Sequence, residues 1–404
     1  MVSRGELSGF KFLDNMLRLF SWTQIRGLMA LALMCLTLFG CQTTSDSAAV
    51  ESKRTYDIAS LKSATILSRQ NLRFFPSSGQ DMSRLTGWAI TGTPRLEDGT
   101  FDMLALSSGG PDGAFGVGVL NGLSAAGKRP VYEVVTGIST GALIAPFAFI
   151  GPKYDYLLKS LYTGKQIEGL IGAPNYFRAL AGGALYQPDN LQDLIQTQIT
   201  RDLMSEIGRL NSQGRRLYVA TANLDADELT VWDMTKIASL GDEASLQLFR
   251  QIIEAAISIP GAFAPVRIAS MSPSGPIEEL HGDGAVLANF YVDPDMVPDD
   301  AVAKANIEVI IHNQLKPKPE AQKASLVPLL KKSVTSLSRS SMILLLRQAW
   351  REAEVRNIPF KYANLPPQWP SVSALDIDRG YMNKTYELGY GLALDGAVWN
   401  SVEP

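Results

Sequence analysis

The stretch VVTGISTGALIAPFAFIG, residues 134–151, decides the fold because a strand pattern turns into a helix pattern within it. Val134 and Val135 are apolar and β-branched, as in a buried strand, and the apolar run after Gly141 suits a buried helix. Ser139 lies between them in a Gly-x-Ser-x-Gly motif, where glycines avoid the collision that a Cβ would cause in a sharp turn. The stretch therefore predicts a strand–turn–helix unit whose serine is either a nucleophile or a helix cap.

The segments around this turn alternate between strand and helix patterns. Strand-like apolar runs alternate with longer helix-like segments, which is the order of a parallel α/β sheet flanked by helices. The strand patterns are FDMLALSS (101–108), RRLYVATANL (215–224), ELTVWDM (228–234) and IEVIIHNQ (307–314), and the helix patterns are AFGVGVLNGLSAAG (114–127), ASLQLFRQIIEAAISI (244–259), residues 325–358 and residues 381–399.

Composition excludes several classes of protein. The chain has 404 residues, of which 46% are hydrophobic, and a formal net charge of -3. Neither a nucleic acid partner nor attraction to an anionic membrane by bulk charge is indicated. The two cysteines form no Cys-x-x-Cys pair and the chain has two histidines, so no metal site is expected.

Residues 1–40 have the pattern of an export signal. The apolar run at 27–40 has the length of a signal core and is too short to span a bilayer. Leu38 and Gly40 precede Cys41 in a pattern that resembles a bacterial lipobox, so we expect cleavage before Cys41 and a lipid on its thiol. The alternatives are a plain signal peptide and a buried helix.

The remaining chain divides into an extension and a main domain. Residues 41–98 are expected to form a polar tether and an N-terminal extension with a helical pattern at 56–75, and the main domain spans 99–400. Translation starts at Met1 or at Met16. A lipid anchor predicts a protein of the bacterial cell envelope, attached to the outer membrane or to the periplasmic face of a membrane.

A glycine loop lies in LALSSGGPDGAFGVGVL, residues 104–120, between a strand and a helix. Its backbone N–H groups suit an anion, either a nucleotide phosphate or the oxyanion of an acyl-transfer intermediate. The spacing fits a dinucleotide fingerprint poorly, and no Walker lysine follows. Since Pro111 has no N–H, Gly109 and Gly110 are the candidate donors.

A third motif, HGDGAVLANF (281–290), contains Asp283. On its own, this aspartate reads as a turn residue that bonds its own backbone. The only two histidines are His281, two residues from Asp283, and His312, which lies within an apolar strand pattern and reads as a core residue. A Ser-His-Asp triad would need one of them, and we expect neither to be catalytic.

The three motifs together resemble the patatin-like phospholipase family, in its bacterial lipoprotein form. The flanking segments AISIPGAFAPV (256–266), ANLDADELTVWDM (222–234) and YMNKTYELGY (381–390) support the resemblance, which covers roughly residues 100–395. It implies a patatin-like α/β fold with a central, mostly parallel sheet flanked by helices, and a catalytic domain at 99–400. It also implies a lipid acyl hydrolase that requires no cofactor or metal and acts on membrane phospholipid.

The family resemblance assigns roles to residues of this chain. Ser139 is the implied nucleophile, which forms an acyl-enzyme, and Asp283 is the base, in a Ser-Asp dyad without histidine. Gly109 and Gly110 form the implied oxyanion hole. The motif glycines are Gly113, Gly137, Gly141 and Gly284.

Two positions depart from the family pattern. Ser108 takes the place of the first glycine in the loop, and Asp112 replaces a basic residue. Because an anion near a developing oxyanion would slow the reaction, we expect Asp112 to face away from Ser139. The departures keep open a catalytically silent lipoprotein that binds lipid or a partner; a non-phospholipid esterase or thioesterase is the third hypothesis.

Two further groups of residues have structural interpretations. Leu344, Leu345, Leu346 and Trp350 read as core or lid residues, with contact to acyl chains as the alternative. Asp225 and Asp227 are expected in a solvated hairpin turn and not in a calcium loop.

Overall fold

The computed structural model describes residues 58–69, 71–76, 99–181, 183–317, 319 and 321–404. All of them fall in one compact unit, Asp57–Pro404. The predicted export signal, both candidate start residues, the tether and Cys41 lie outside the described residues.

The described residues form strands and helices that match most of the sequence patterns. The strands are β1 (Arg73–Phe74), β2 (Phe101–Leu106), β3 (Val134–Ile138), β4 (Arg216–Asn223), β5 (Glu228–Asp233), β6 (Val266–Ser272), β7 (Gly275–Asp283), β8 (Ala305–Gln314) and β9 (Phe360–Leu365). The helices are α1 (Ile58–Ser63), α2 (Gly113–Ala125), α3 (Thr140–Ile150), α4 (Asp155–Thr163), α5 (Tyr176–Leu180), α6 (Asp189–Gln198), α7 (Arg201–Ser212), α8 (Met234–Leu240), α9 (Glu243–Ile257), α10 (Leu326–Val355) and α11 (Arg379–Leu394).

The strands form one mixed sheet in the order β1-β5-β4-β3-β2-β8-β9. The five strands from β4 to β9 in this order are parallel to one another. Strand β5 is antiparallel to β4, β1 is antiparallel to β5, and the β6–β7 pair joins β4 through β7. The fold is therefore α/β, with a central, mostly parallel sheet flanked by helices, as the sequence predicts.

A hydrophobic core lies on each face of the sheet. Along β2, Leu104 and Leu106 belong to the core that includes residues of α2, α3, α9 and α11, whereas Met103 and Ala105 belong to the core that includes residues of α10. Successive side chains of a strand point to opposite faces, so a strand covered on both faces is apolar throughout. This explains why β2 reads as a continuous apolar run.

The N-terminal extension differs from the helical pattern read at 56–75. Its helix ends at Ser63, and Arg73 and Phe74 pair with β5 as an edge strand. Pairing with an existing strand edge satisfies the backbone there, so tertiary context overrides the local helical pattern.

The turn between β4 and β5 is the expected hairpin. Asp225 and Asp227 are both exposed, and Asp227 adopts a positive φ of 52°. Asp225 also accepts a hydrogen bond from the backbone N–H of Leu280 at 2.7 Å, so this turn is tied to β7.

Candidate active site

Ser139 lies at the turn between β3 and α3 in a strained backbone conformation. Its φ of 55° and ψ of -124° are unusual for a residue with a side chain, and such strain costs about 1–3 kcal/mol. Its side chain makes no capping hydrogen bond to α3. A Cβ on Gly137 would overlap Gly141, and one on Gly141 would overlap Leu106, so the turn requires both glycines. The geometry is that of a nucleophile elbow and not of a capping serine.

Asp283 ends β7 and contacts Ser139 directly. The Ser139 Oγ donates a hydrogen bond to Asp283 Oδ2 at 2.7 Å. The other carboxylate oxygen, Oδ1, accepts from the backbone N–H of Ala285 at 2.9 Å. One oxygen of Asp283 thus bonds the local turn and the other bonds the serine, which is compatible with both sequence readings of this aspartate.

Burial makes the Asp283 carboxylate a stronger base than an exposed aspartate. Asp283 is 2% exposed and Ser139 is 7% exposed. Burial raises the pKa of Asp283 to about 6, while the hydrogen bonds from Ser139 and Ala285 act in the opposite direction. The group is still ionised at neutral pH, and its raised pKa favours proton transfer from a hydroxyl.

The glycine loop has two backbone amide groups, at Gly109 and Gly110, that have no hydrogen-bond acceptor within the described residues. Gly110 has a φ of 56° and lines the same cavity as Ser139. Gly113 begins α2, and a Cβ there would overlap the Thr140 side chain, so the first turns of α2 and α3 are in close contact. The loop can therefore direct free N–H groups toward an oxyanion.

Ser108 and Asp112, the two residues that differ from the family pattern, form side-chain hydrogen bonds with residues other than Ser139. Ser108 Oγ donates to Asn289 Oδ1 at 3.0 Å. The Asp112 carboxylate accepts a hydrogen bond from the Tyr381 hydroxyl at 2.5 Å and is absent from the residues that line the cavity at Ser139. Burial raises the pKa of Asp112 to about 7, so its negative charge is also reduced near neutral pH. These contacts agree with the expected orientation of Asp112.

Neither histidine contacts the serine or the aspartate among the described residues. The Nδ1 atom of His281 lies 2.9 Å from Thr221 Oγ1, and its Nε2 has no hydrogen-bond partner there. His312 lies under the glycine loop, with Nδ1 2.6 Å from the carbonyl oxygen of Ser107. Burial lowers the pKa of His312 to about 4 and also lowers that of His281, so both are neutral.

An apolar cavity opens beside Ser139. The space within it, including its mouth, is about 930 Å³. Its polar contributions are few, chiefly Ser139, Thr140, Tyr162 and Gln198. Its apolar lining comes from α3, α4, α6, α9, the segment after α4 and the segment before α11, and includes Leu143, Phe147, Leu161, Ile167, Leu170, Leu191, Leu194, Ile195, Ile253, Ile257, Leu375 and Ile377.

Several residues of this site were not identified from the sequence. Thr140 follows Ser139 within the motif itself, and its hydroxyl lies 2.6 Å from the Tyr162 hydroxyl. Tyr381 and Asn289, which bind Asp112 and Ser108, occur in segments that supported the family resemblance but had no assigned role. The glycine loop and the YMNKTYELGY segment together were the available signal for the Asp112–Tyr381 contact.

Two kinds of feature are absent from the described residues, a metal-binding cluster and a membrane-spanning helix. In the described ranges, no three His, Cys, Asp or Glu side chains are grouped closely enough to hold a metal ion. None of the helices in these ranges has the length and hydropathy that a transmembrane segment needs.

Comparison with known proteins finds a matching family model and similar solved structures. Residues 104–296 match the family model described as patatin-like phospholipase. Among solved structures, VipD from Legionella pneumophila is 15% identical with a TM-score of 0.37, and the match covers 74% of this chain and 67% of VipD. Full-length ExoU of Pseudomonas aeruginosa, solved with SpcU, is 13% identical with a TM-score of 0.30; the match covers 76% of this chain and 53% of ExoU, about half its length. No curated protein matches the sequence.

Proposed function

We propose that this chain hydrolyses lipid esters with a Ser139–Asp283 dyad, on the basis that residues 104–296 match the patatin-like phospholipase family model. The family supports lipid acyl hydrolase activity in general. The observation that carries the specific assignment is the 2.7 Å hydrogen bond from Ser139 Oγ to Asp283 Oδ2, since Ser139 also lines an apolar cavity.

The first half of the reaction acylates the enzyme. Asp283 accepts the hydroxyl proton as Ser139 Oγ attacks the ester carbonyl carbon, and the carbonyl oxygen becomes an oxyanion. The N–H groups of Gly109 and Gly110 stabilise that oxyanion. When the tetrahedral intermediate collapses, the bond to the leaving alcohol breaks, and the protonated Asp283 returns its proton to the alcohol oxygen.

The second half releases the acyl group. A water molecule takes the place of the alcohol, and Asp283 accepts one of its protons as the water oxygen attacks the acyl carbon. Collapse of the second tetrahedral intermediate breaks the bond to Ser139 Oγ, and the proton on Asp283 returns to that oxygen. The products are a carboxylic acid and the free enzyme.

The cavity supports a substrate with an acyl chain. Its lining is almost entirely aliphatic and aromatic, which favours transfer of methylene groups from water by about 0.8 kcal/mol each. A phospholipid acyl chain fits this chemistry, and so does the chain of a non-phospholipid ester or thioester. In this proposal the leaving group stays toward the cavity mouth.

A lipid anchor on Cys41 would hold this chemistry at its substrate. Attachment of the chain to a bacterial envelope membrane, at the outer membrane or the periplasmic face, raises the effective concentration of the enzyme at lipid. We expect a Cys41→Ala chain without residues 1–40 to be washed from membranes by high salt, whereas the lipidated chain should stay attached. Attachment of this Cys41→Ala chain that resists high salt would contradict the anchor.

Labelling with a lipid-like fluorophosphonate tests the proposed nucleophile without knowledge of the substrate. We expect one covalent adduct on the wild-type chain by intact-mass spectrometry and none on Ser139→Ala. The matched control is Ser258→Ala, since Ser258 is also buried and its carbonyl accepts from the Asp283 backbone N–H at 2.9 Å. This control should retain the adduct.

The outcome separates the proposal from its alternative. A catalytically silent lipid-binding lipoprotein predicts no adduct on a folded wild-type chain whose cavity still binds lipid. An adduct that persists on Ser139→Ala would assign the activated serine elsewhere.

A further inference from the structure

Helix α10 has an apolar stripe on the side that faces away from the protein. Met342, Leu346 and Ala353 are buried in the core. At about 100° per residue, six other apolar residues project from the opposite side of the helix. This leucine stripe consists of Leu326, Leu329, Leu330, Val334, Leu337 and Leu344, which are between 46% and 73% exposed.

The leucine stripe is too extended to be a chance group of surface residues. Leu326 and Leu344 are 18 positions apart in one helix, which corresponds to about 27 Å of continuous helical surface. Exposed apolar residues scattered singly need no explanation, but a contiguous stripe indicates an interaction surface. The stripe lies on the other side of the helix from the residues that pack into the core. The core therefore does not need apolar residues at the positions of the stripe.

The charge around the stripe favours an anionic partner. Residues 321–351 contain six lysines and arginines and no aspartate or glutamate. In the first half of α10 and just before it, Lys323, Lys331 and Lys332 have no ion-pair partner among the described residues. An apolar stripe with basic residues and no acidic ones is characteristic of helices that lie on anionic lipid.

The position of the helix connects this surface with the glycine loop. Asn289 Nδ2 donates to the carbonyl oxygen of Ser338 in α10 at 2.9 Å, and Asn289 Oδ1 accepts from Ser108 Oγ at 3.0 Å. Val286 and Leu287, in the turn between Asp283 and Asn289, are 54% and 36% exposed. Two exposed apolar residues therefore lie in the turn that joins Asp283 to the residue bonded to α10.

We infer that the leucine stripe of α10 docks the protein on an anionic lipid surface, with the helix parallel to that surface. The apolar side chains would enter the boundary between headgroups and acyl chains, a depth of about 5–10 Å. Because Lys331 and Lys332 project from the other side of the helix, they and Lys323 would act by attraction to the anionic surface within a Debye length and not by direct contact with the phosphate groups. This inference goes beyond the hydrolytic function and does not depend on turnover.

A local fluorescence measurement tests the docking separately from any N-terminal anchor. The full chain carries Cys35→Ala and Cys41→Ala as background substitutions. One new cysteine is then introduced, as either Val334→Cys or Val402→Cys, and is labelled with an environment-sensitive dye. Both positions are exposed, at 66% and 67%, so the second is a matched control. With phosphatidylglycerol vesicles we expect the emission of the dye to shift to shorter wavelength at position 334 and not at position 402. The shift at position 334 should be smaller with phosphatidylcholine vesicles, and smaller in high salt.

A second pair of variants tests the stripe by affinity. Leu330→Gln with Leu337→Gln should weaken binding to phosphatidylglycerol vesicles by roughly tenfold or more, because two partly exposed leucines lose their transfer into lipid. Val131→Gln with Val402→Gln alters two exposed apolar residues outside α10 and should bind as the parent chain does. Hydrolysis of a soluble short-chain ester should be the same in all of them.

Three results would overturn the inference. One is an unchanged spectrum at Val334 in a chain that floats with the vesicles, which would mean that another segment binds them. Another is a shift at Val334 that needs no vesicles and rises with protein concentration, which would assign the stripe to a second copy of the chain. The third is unchanged affinity in the Leu330/Leu337 variant. Absence of ester hydrolysis in the wild type would instead contradict the proposed function and leave the docking result standing.

Discussion

Ser139 and Asp283 meet because two strands end against consecutive residues of β4. Ile138, which precedes the serine, pairs with Ala220 in a parallel register, and Asp283 pairs with Thr221 in an antiparallel register. The C-terminal ends of β3 and β7 thus approach each other along one edge of β4. The sheet itself sets the separation of the two side chains, which is the preorganisation that a dyad without a third residue requires.

We predict that Asp283→Asn abolishes most turnover and leaves the fold intact. The asparagine Oδ1 can keep the hydrogen bond from Ala285, but its amide group cannot accept the proton of Ser139. Loss of a general base typically costs on the order of 10²–10⁴-fold in rate. Steady-state hydrolysis of a soluble ester and far-ultraviolet circular dichroism measure the two quantities.

Two variants serve as controls for this loss. Asp293→Asn changes another buried aspartate whose pKa burial raises to about 6, and it should retain activity. His281→Gln should also retain most activity, because His281 bonds Thr221 and not the dyad. A loss of several orders of magnitude in folded His281→Gln would revive the Ser-His-Asp alternative, and full activity of Asp283→Asn would rule out the dyad.

The pH dependence of kcat/KM should report the Asp283 carboxyl group. Because its pKa is raised to about 6, we expect activity to fall as the pH falls through about 6, where the carboxylate becomes protonated and cannot act as a base. An exposed aspartate, with its pKa near 4, would place this limb about two pH units lower. A pH series with a soluble ester substrate measures the midpoint.

Titration of Asp112 is the alternative explanation for a fall in kcat/KM at low pH. Burial raises its pKa to about 7, and it lies in the glycine loop next to the candidate oxyanion donors. The variant Asp112→Asn should keep the limb at about pH 6. Disappearance of the limb in this variant would transfer the titration to Asp112 and contradict the assignment to Asp283.

The sequence predicted the elements whose pattern is local. The Gly-Ile-Ser-Thr-Gly turn, β2 and the helix after it were identified because buried strands are apolar throughout and glycines mark the sharp turns. Strand β6 was missed because its pattern opposes its burial. Ser270 faces inward, where its hydroxyl donates to Glu279, and the apolar Met271 is 50% exposed. Hydrophobic periodicity cannot identify such a strand.

The remaining features depend on residues far apart in the chain. The cavity combines side chains from many segments, and the Asp112–Tyr381 hydrogen bond joins residues 269 positions apart. Local patterns carry no information on which of these segments become neighbours. The register of β7 on β4 could likewise not be read from the sequence, although the family resemblance assigned Ser139 and Asp283 to one site.

The buried ion pair between Arg73 and Glu279 should stabilise the strand that carries Asp283. Arg73 donates from both terminal nitrogens to the Glu279 carboxylate, at 2.6 and 2.7 Å, and joins the edge strand β1 to β7. Burial opposes ionisation of Glu279, but His281 Nε2 at 3.7 Å and the hydrogen bonds and charge of Arg73 lower its pKa to about 2. Arg73→Met would leave this charge unpaired, so we expect about 3–5 kcal/mol less stability in urea unfolding.

A double variant separates the ion pair from simple loss of packing. Arg73→Met with Glu279→Gln removes both charges, while the glutamine can keep the hydrogen bond from Asn223. Its stability should lie well above that of Arg73→Met alone. Equal free energies of unfolding for the single and double variants would show that the unpaired Glu279 charge carries no cost, which would contradict this explanation.

Leu194 should help to determine the length of acyl chain that the cavity accepts. It is partly buried, belongs to α6 and lines the cavity. Leu194→Trp should shorten the apolar space by about two methylene groups, each worth about 0.8 kcal/mol. We therefore expect kcat/KM for a long-chain ester to fall by about tenfold or more. The kcat/KM for a butanoyl ester should stay the same, because its short chain does not reach this position. Leu240→Trp is the matched control, since Leu240 packs against the same core without lining the cavity. Equal losses for both chain lengths, or the same change in Leu240→Trp, would place the acyl chain elsewhere.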